Sequence, residues 1–276
     1  MEIKRLLEQR LQAKLRVISH QSFNRTFVGF SQQYQQSVFV KVFLQERNWL
    51  TEKAVNEQLN SRVLAAFKVD VEPILYVLVM TDMAPADIVV PVSKSLAFLM
   101  GEKLATFHAQ VRPFAGIRQD SEPFIKIHQR IKQLRSGSMR NRLIKIFKYF
   151  VHDQIMIETE LLNSSTVLHG DVGVRNYQLV SNQLVLIDYE KVQLGVSYQD
   201  FIKLFYQDFK LQPELMAAFM EGYTLKLSEP KISQLMQAFL LFKTACGIMS
   251  YTDKIEDQPF KQIGEKMLVK VEEDLL

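Results

Sequence analysis

The segment from His169 to Glu190, with the sequence HGDVGVRNYQLVSNQLVLIDYE, constrains the fold of this 276-residue chain more than any other feature. Asp171 and Asn176 are separated by four residues, and Asp188 follows the apolar run LVLI. Such short spacing lets one loop present a carboxylate and an amide to the same point, and the apolar run is typical of a short buried strand. The segment therefore predicts a loop and a strand that display three polar side chains, and not a plain turn.

These residue types are the ones that phosphoryl transfer from a nucleotide requires. An acidic group must lie beside the attacking hydroxyl, and an Asn and a second Asp hold the magnesium ions that neutralise the phosphates. The segment resembles the aminoglycoside phosphotransferase and choline kinase superfamily, whose pattern is His-Gly-Asp, four residues, Asn, and then a hydrophobic strand that ends in Ile-Asp-aromatic-Glu. The matching positions of this chain are His169, Gly170, Asp171, Asn176, Ile187, Asp188, Tyr189 and Glu190.

The resemblance implies an α+β, protein-kinase-like fold with two lobes, a small β-rich N-terminal lobe and a larger, mostly helical C-terminal lobe. We assign residues 1–82 to the nucleotide-binding lobe and residues 83–276 to the helical lobe with the catalytic loop and acceptor site. The resemblance also implies a small-molecule kinase, which transfers a phosphoryl group from ATP, with Mg²⁺, to the hydroxyl of its acceptor.

Four residues of the segment receive roles by this resemblance. Asp171 is expected to accept or orient the proton of the attacking hydroxyl. Asn176 and Asp188 are expected to bind magnesium. His169 completes the catalytic group, where we expect it to support the loop through hydrogen bonds instead of acting as a base.

Two further polar residues are interpreted less directly. Arg175 lies inside the loop, and it either binds phosphate or a substrate carboxylate or is a solvated loop residue. Asp200 is expected to cap or anchor the helix that follows it. The remaining histidines show no metal-ligand spacing and are expected to be structural or exposed, namely His20, His108, His128 and His152.

Lys41 is the candidate for the cation that ATP needs near its α- and β-phosphates. It lies within the apolar strand pattern FVKVF, and a lysine in such surroundings needs a partner because burying an unpaired charge is costly. In the kinase arrangement that partner is a Glu of the next helix. Glu52 is the first candidate, and Glu57 is the reserve.

The segment that should cover the phosphates departs from the family pattern. The sequence HQSFNRTFVGF has no glycine before Gly29, so its backbone approaches phosphates less freely. We expect side-chain donors such as Ser22 to replace some backbone N–H groups. After the run LYVLVM, the resemblance assigns Thr81, Asp82 and Met83 to the hinge that meets the nucleotide base.

Hydrophobic periodicity predicts the remaining elements. Strands are expected at 16–20, 25–30, 37–43 and 75–80. Helices are expected at 1–15, 48–67, 93–111, 122–135, 139–163, 197–209, 213–225, 230–251 and 257–274.

The charge balance bounds the class of ligand. The formal net charge is +4 and the sequence pI about 9.0, which is too mild for a dedicated nucleic-acid binder and disfavours a polycationic aminoglycoside as substrate. The basic stretch 126–148 leaves a nucleic-acid or anionic-surface module as an alternative. Its charges alternate with apolar residues at helical spacing, which favours an ordinary amphipathic helix, and nucleic acid is not expected as a partner.

The acceptor is not identified by the sequence. The resemblance offers choline or ethanolamine, thiamine, homoserine, a sugar or amino sugar, or an antibiotic. Many aromatic residues could box a quaternary ammonium group, but their helical spacing favours core packing. They are Phe201, Phe205, Tyr206, Phe209, Tyr223, Phe239, Phe242 and Tyr251.

A kinase-like binding module without turnover is a further alternative, suggested by the missing glycines. The four intact residues Lys41, Asp171, Asn176 and Asp188 argue against it.

The single cysteine excludes an internal disulfide framework and a cysteine-based zinc cluster. The chain start lacks the apolar core of a signal peptide, and the longest apolar runs are short of a membrane span. We therefore expect a cytoplasmic protein without membrane contact.

Overall fold

A computed structural model describes residues 2–18, 24–59 and 62–275. These residues form two compact units. The first, which we call the β-rich unit, contains the described residues of Met1–Ile88, Gln110–Ile117 and Tyr177–Val192. The second, which we call the helical unit, contains those of Val89–Ala109, Arg118–Asn176 and Gln193–Leu276.

The strands and helices are numbered along the chain. The strands are β1 Ala13–Ile18, β2 Arg25–Ser31, β3 Gln36–Phe43, β4 Val63–Val69, β5 Leu75–Thr81, β6 Ala86–Asp87, β7 Arg118–Gln119, β8 Ser165–Leu168, β9 Tyr177–Val180, β10 Gln183–Leu186 and β11 Gln193–Val196. The α-helices are α1 Glu2–Leu11, α2 Glu46–Leu59, α3 Lys94–Gln110, α4 Pro123–Gln133, α5 Ser138–His152, α6 Gln154–Asn163, α7 Tyr198–Lys203, α8 Pro213–Thr224, α9 Gln234–Thr252 and α10 Gln258–Leu275.

The β-rich unit is built on a five-stranded antiparallel sheet of order β1-β2-β3-β5-β4. On one face, Val40 of β3 and Val79 of β5 pack with Leu11 of α1. On the other face, Phe43 packs with Trp49 of α2. Side chains alternate along a strand, so Lys41 points to the same face as Phe43, toward α2.

A second, smaller sheet of the β-rich unit has the order β10-β9-β6. Ser181 and Asn182 join β9 to β10, and their φ angles are 49° and 62°. A two-residue hairpin turn needs positive φ angles at both residues to match the twist of its strands. The predicted strand LVLI is confirmed as part of β10 and the residue after it. Its end delivers Asp188 two residues beyond Leu186.

Two predicted helices are too long. The helix expected at 1–15 ends at Leu11, and Gln12, with φ 45°, turns the chain into β1. The helix expected at 48–67 ends at Leu59, and Val63–Val69 is strand β4. In both places the apolar residues also fit a strand, and pairing with β2 or β5 decides the outcome.

The helical unit surrounds a core formed by several helices. Phe239 and Phe242 of α9 are fully buried and pack with Ile127 of α4, Phe150 of α5 and Met267 of α10. A three-stranded sheet of order β7-β11-β8 adjoins these helices. The helices predicted near 93–111, 122–135, 213–225, 230–251 and 257–274 are confirmed as α3, α4, α8, α9 and α10.

Two other helix predictions need correction. The helix expected at 139–163 is divided into α5 and α6 at Asp153. The segment expected as one helix at 197–209 consists of α7, which ends at Lys203, and a π-helical turn, Leu204–Asp208. The strand-rich first unit and the helical second unit agree with the α+β class.

Among the described residues, no helix combines the length and apolarity needed to cross a membrane.

The predicted division after residue 82 is linear along the chain. The β-rich unit also takes in Gln110–Ile117 and Tyr177–Val192. Asp188 consequently belongs to the same unit as Lys41, although the two residues are far apart in sequence.

Candidate active site

Lys41 is the centre of a buried charge cluster in the β-rich unit. Its side chain on β3 is 7% exposed. The ammonium nitrogen lies 3.4 Å from Glu52 Oε2, 2.5 Å from Asp188 Oδ1 and 3.6 Å from Glu190 Oε2. One lysine is thus surrounded by three carboxylates, which we call the Lys41 cluster.

The charges of the Lys41 cluster support one another unequally. Burial disfavours the ammonium, but Glu52, Asp188 and Glu190 outweigh it and raise the pKa of Lys41, so the side chain stays cationic at neutral pH. Burial, with the charges of Asp188 and Glu190, raises the pKa of Glu52 against the opposing effect of Lys41. The cluster has an excess of negative charge, which suits an added cation.

Glu52 is held by Asn56 of its own helix, which is in turn bound by Arg62, the residue before β4. The Asn56 side-chain amide donates to Glu52 Oε1 over 3.3 Å and to its carbonyl over 2.9 Å. Arg62 in turn donates to Asn56 Oδ1 over 3.1 Å. Glu57 points elsewhere, 2.8 Å from Lys53. Of the two candidate partners, Glu52 is therefore the one beside Lys41.

The turn after β10 orients the two other acids of the cluster. Asp188 has φ 67°, a left-handed conformation that Asp tolerates better than most residues. The Tyr189 hydroxyl donates to the carbonyl of Leu186, and burial raises its pKa. The side-chain amide of Asn24 donates to Glu190. These contacts hold the turn that carries the side chains of Asp188 and Glu190.

The Asp171 loop belongs to the helical unit and follows β8. Asp171 is 6% exposed, and its own carbonyl accepts a 2.7 Å hydrogen bond from the Asn176 side chain. Gly170, with φ 80°, allows the chain to turn before Asp171. The contact closes the loop, so the two predicted site residues Asp171 and Asn176 are adjacent.

Asp200 anchors this loop from α7. Its carboxylate accepts the backbone N–H groups of His169 over 2.7 Å and Gly170 over 2.9 Å. It also lies 3.0 Å from His108 Nε2, and the other ring nitrogen of His108 is 2.9 Å from the Tyr223 hydroxyl. Asp200 lies inside α7 and does not cap it, so the capping part of the expectation is wrong. Its carboxylate instead ties α7 to the Asp171 loop.

The contacts of His169 are structural in kind. The residue is fully buried, and its ring meets Phe107 edge to face at 5.6 Å. His108 is also buried and structural, with Tyr223 beside it, and burial raises the pKa of Tyr223 to about 12. His128 and His152 are exposed, and His20 lies outside the described residues.

Two cations touch the Asp171 carboxylate. Arg175 Nη2 lies 2.7 Å from Asp171 Oδ2, and Lys203 Nζ lies 3.7 Å from Asp171 Oδ1. Asp208 accepts the backbone N–H of Val174 over 2.9 Å. Burial raises the pKa of Asp208, against the effects of that hydrogen bond and of Arg175. Sequence reasoning missed Lys203 and Asp208, which follow the loop by about thirty residues and carry no motif of their own.

The other residues expected to contact the nucleotide are Ser22, Thr81 and Met83. Ser22 lies outside the described residues. The backbone N–H of Thr81 donates to the carbonyl of Arg62 over 3.0 Å, and Met83 is half-buried just beyond β5. No group of three or more His, Cys, Asp or Glu within the described ranges is arranged to hold a metal ion by itself. Magnesium commonly takes one or two carboxylates and completes its shell with water and substrate phosphates.

Most of the aromatic residues expected in the core of the helical unit pack against one another, but Tyr251 is 45% exposed and the expectation is wrong for it. Phe201 lies 5.0 Å from Tyr223 and 5.6 Å from Phe219, and Phe205 lies 5.9 Å from Phe209, measured between ring centroids. All five are buried. These five rings are consequently covered by their packing against one another and do not form an open box for a ligand.

No family model and no curated relative matches this sequence. Solved structures do match it. A thermostable mutant of aminoglycoside phosphotransferase APH(4)-Ia, in ternary complex with AMP-PNP and hygromycin B, is 10% identical with a TM-score of 0.71, covering 99% of each chain. Choline kinase LicA from Streptococcus pneumoniae is 16% identical with a TM-score of 0.64, covering 99% of this chain and 97% of that one.

A third similar structure is amicoumacin kinase hAmiN, in complex with AMP-PNP, Ca²⁺ and Ami. It is 9% identical with a TM-score of 0.68, and the match covers 99% of this chain and 94% of that one. These likenesses extend over nearly the whole chain and show its fold. The chain has the two-lobed, protein-kinase-like fold of these enzymes, and the predicted fold class is confirmed.

Proposed function

We propose that the chain is a phosphotransferase that moves the γ-phosphoryl group of ATP to a hydroxyl of a small molecule. The observation that carries the proposal is the buried Lys41 cluster, in which Lys41 lies beside both Glu52 and Asp188. Kinases use this arrangement to hold nucleotide phosphates. The structures with the same fold include enzymes crystallised with ADP or AMP-PNP, which supports a nucleotide as the phosphoryl donor.

The β-rich unit supplies the nucleotide groups of this proposal. Lys41 steadies the phosphates, and Glu52 orients Lys41. Asp188 and, from the helical unit, Asn176 are the proposed magnesium ligands, and the excess negative charge of the Lys41 cluster fits a divalent cation. Bound magnesium would neutralise the charge of the phosphates. Thr81 and Met83 are proposed to meet the base, and Ser22 to donate to the phosphates.

The helical unit supplies the groups for the acceptor. Asp171 orients the hydroxyl and accepts its proton as the oxygen attacks phosphorus. The hydrogen bonds from His169 and Gly170 to Asp200 hold the loop before substrate arrives. Such fixed positioning supplies much of the catalytic effect in phosphoryl transfer.

The test is ADP release from magnesium ATP in the presence of small alcohols. The panel contains choline, ethanolamine, thiamine, homoserine, amino sugars and aminoglycosides. We expect at least one class of hydroxyl compound to stimulate release, and Asp171→Asn to remove most of this turnover while ATP binding stays. Asp153→Asn, which changes a carboxylate at the start of α6, is the matched control. Turnover retained in Asp171→Asn would contradict the assigned role, and ATP binding without turnover would indicate a kinase-like binding module.

Asp188→Asn tests the metal assignment separately. Asn keeps the size of the side chain but removes its charge, so we expect half-maximal activity to require about tenfold more magnesium. The measurement is a magnesium titration at saturating ATP, with Asp87→Asn in β6 as control. An unchanged titration in Asp188→Asn would remove Asp188 from the metal site.

A further inference from the structure

The Asp171 carboxylate carries two cationic neighbours that the proposed transfer itself does not require. Arg175 contacts one oxygen and Lys203 approaches the other. Asp171 is buried, but the side chains of Arg175 and Lys203 are 69% and 42% exposed. Both cations therefore reach inward to the carboxylate, Arg175 from a largely exposed position and Lys203 from a partly exposed one.

Arg175 differs from an arginine that is used to hold elements together. Arg142 joins α5 to α10 by two hydrogen bonds to Glu272, of 2.8 Å and 2.6 Å, and its side chain is 28% exposed. Arg175 donates one such bond, to Asp171, from a more exposed position. A guanidinium has five N–H donors in a planar fork that matches a carboxylate or phosphate, so Arg175 can bind a second anion beside Asp171.

The acceptor must displace or share the contact between Arg175 and Asp171, because its hydroxyl has to reach the same carboxylate. An acceptor with an anionic group offers Arg175 a replacement partner, and the exchange costs little. A neutral acceptor leaves Arg175 with the charge interaction of Asp208 and no new hydrogen-bond partner. A cationic acceptor adds repulsion from both Arg175 and Lys203. The closed packing of Phe201, Phe205 and Tyr223 removes these rings as an alternative site for an ammonium group.

We propose that the acceptor carries a carboxylate or phosphate close to its reacting hydroxyl, and that Arg175 and Lys203 bind this anion. The inference rests on the proposed function and names its substrate class, an anionic alcohol. In the reaction the hydroxyl oxygen forms a bond to the γ-phosphorus of ATP, and the bond from that phosphorus to the bridging oxygen breaks. The bridging oxygen keeps the electron pair as ADP leaves, and the hydroxyl proton passes to Asp171.

The experiment uses two series of small alcohols of similar size, each with an anionic, a neutral and a cationic member. Glycolate, glycolamide and ethanolamine form one series, and glucuronate, glucose and glucosamine form a second. Binding is measured by calorimetry on the full chain with magnesium ADP present, and kcat/KM by ADP release with magnesium ATP. Glycerol phosphate against glycerol distinguishes a preference for phosphate from one for carboxylate.

The variants are Arg175→Ala and Lys203→Ala, with Arg135→Ala and Lys132→Ala as matched controls from exposed positions of the same unit. We expect the anionic member of a series to bind about tenfold or more tightly than its neutral member. Arg175→Ala and Lys203→Ala should each remove most of this preference, and the controls should keep it. The KM for ATP should stay unchanged, since a cation that served the γ-phosphate would alter it with every acceptor.

The outcomes separate this inference from the proposed function. Equal binding of anionic and neutral members, or a preference that survives both variants, overturns the anionic acceptor even where turnover is found. Anion binding lost in the variants, without any turnover, supports the anion site and counts against the kinase. ADP release stimulated best by ethanolamine or glucosamine supports the kinase and overturns the anion site.

Discussion

At the scale of single residues, Asp200 organises the loop that carries Asp171. The buried backbone N–H of His169, the partly buried backbone N–H of Gly170 and the His108 ring converge on its carboxylate. A buried donor without an acceptor costs about 1–3 kcal/mol, so one carboxylate stabilises a loop that would otherwise lose two such bonds. Its contribution to activity is one of positioning, since it acts through the loop backbone.

Asp200→Asn tests this role. The amide oxygen can accept, but the amide nitrogen would face a backbone N–H or His108, so we expect kcat to fall about tenfold or more and the free energy of unfolding to fall by about 1–3 kcal/mol. The KM for ATP should be unchanged. ADP release and urea denaturation measure the two effects, with Asp153→Asn as control. Lost stability with an unchanged kcat would show that Asp200 supports only the fold.

Glu52 and Glu57 provide a matched pair on one helix. Glu52 is buried beside Lys41, whereas Glu57 lies at the surface with Lys53. Glu52→Gln keeps the volume but removes the charge that holds Lys41, so we expect nucleotide affinity to fall about tenfold, measured by calorimetry with magnesium ADP. Glu57→Gln should bind as the unchanged protein does. Equal losses in both variants would contradict the role given to Glu52.

The sequence predicts part of this chemistry and not the rest, for a physical reason. Lys41, Asp171 and Asp188 lie in local patterns of apolar residues and fixed spacing, which a single chain displays directly. Asp200 and Lys203 reach the Asp171 loop only because α7 folds back beside it. Such long-range contacts leave no periodic signal, and a surface carboxylate or lysine has the same appearance in the sequence.

At the scale of elements, boundaries are the features that sequence periodicity predicts least well. Apolar residues of Val63–Val69 continue the helical pattern of α2, yet they pair with β5 along an edge of the sheet. Central elements such as β3 and α9 are predicted within a few residues, because burial on several sides gives long apolar patterns. Edges depend on partners that are distant in sequence.

The crossing of α3 and α8 illustrates how closely two elements can approach. A Cβ on Gly101 would overlap the carbonyl oxygen of Phe219, and a Cβ on Gly222 would overlap the carbonyl oxygen of Phe98. The two helices therefore touch backbone to backbone at reciprocal glycines. Neither carbonyl can move aside without breaking the hydrogen bonding of its helix.

Gly101→Ala should accordingly destabilise the fold, although alanine favours an isolated helix. We expect a loss of about 3 kcal/mol in the free energy of unfolding, because the helices must separate. Gly247→Ala in α9 is the matched control, since its Cβ would find only the Arg130 side chain at 3.7 Å, and it should be neutral or stabilising by up to about 1 kcal/mol. Urea denaturation measures both, and equal stability of the two variants would contradict the close crossing.

At the scale of the whole molecule, burial acts in one direction on several ionisable groups. It raises the pKa of Tyr189, Tyr206, Tyr223 and Cys246, groups whose protonated form is neutral. The pKa of Lys41 is also raised, there by the surrounding carboxylates against the effect of burial. Both units contain such groups, so the folded chain as a whole holds these protons more tightly than an unfolded chain does.

The free energy of unfolding should therefore fall more steeply with rising alkaline pH than the surface charges alone would cause. A group with a raised pKa contributes stability that is complete below its ordinary pKa and is lost as pH rises through its folded pKa. The ordinary values begin at 9.0 for Cys246, and the folded values of Tyr206 and Tyr223 are about 12. We expect the free energy of unfolding, measured by urea denaturation, to fall steadily across this window. Tyr206→Phe should reduce the slope, whereas Tyr149→Phe, at an exposed position, should leave it unchanged, and a flat profile would contradict the shared direction of these shifts.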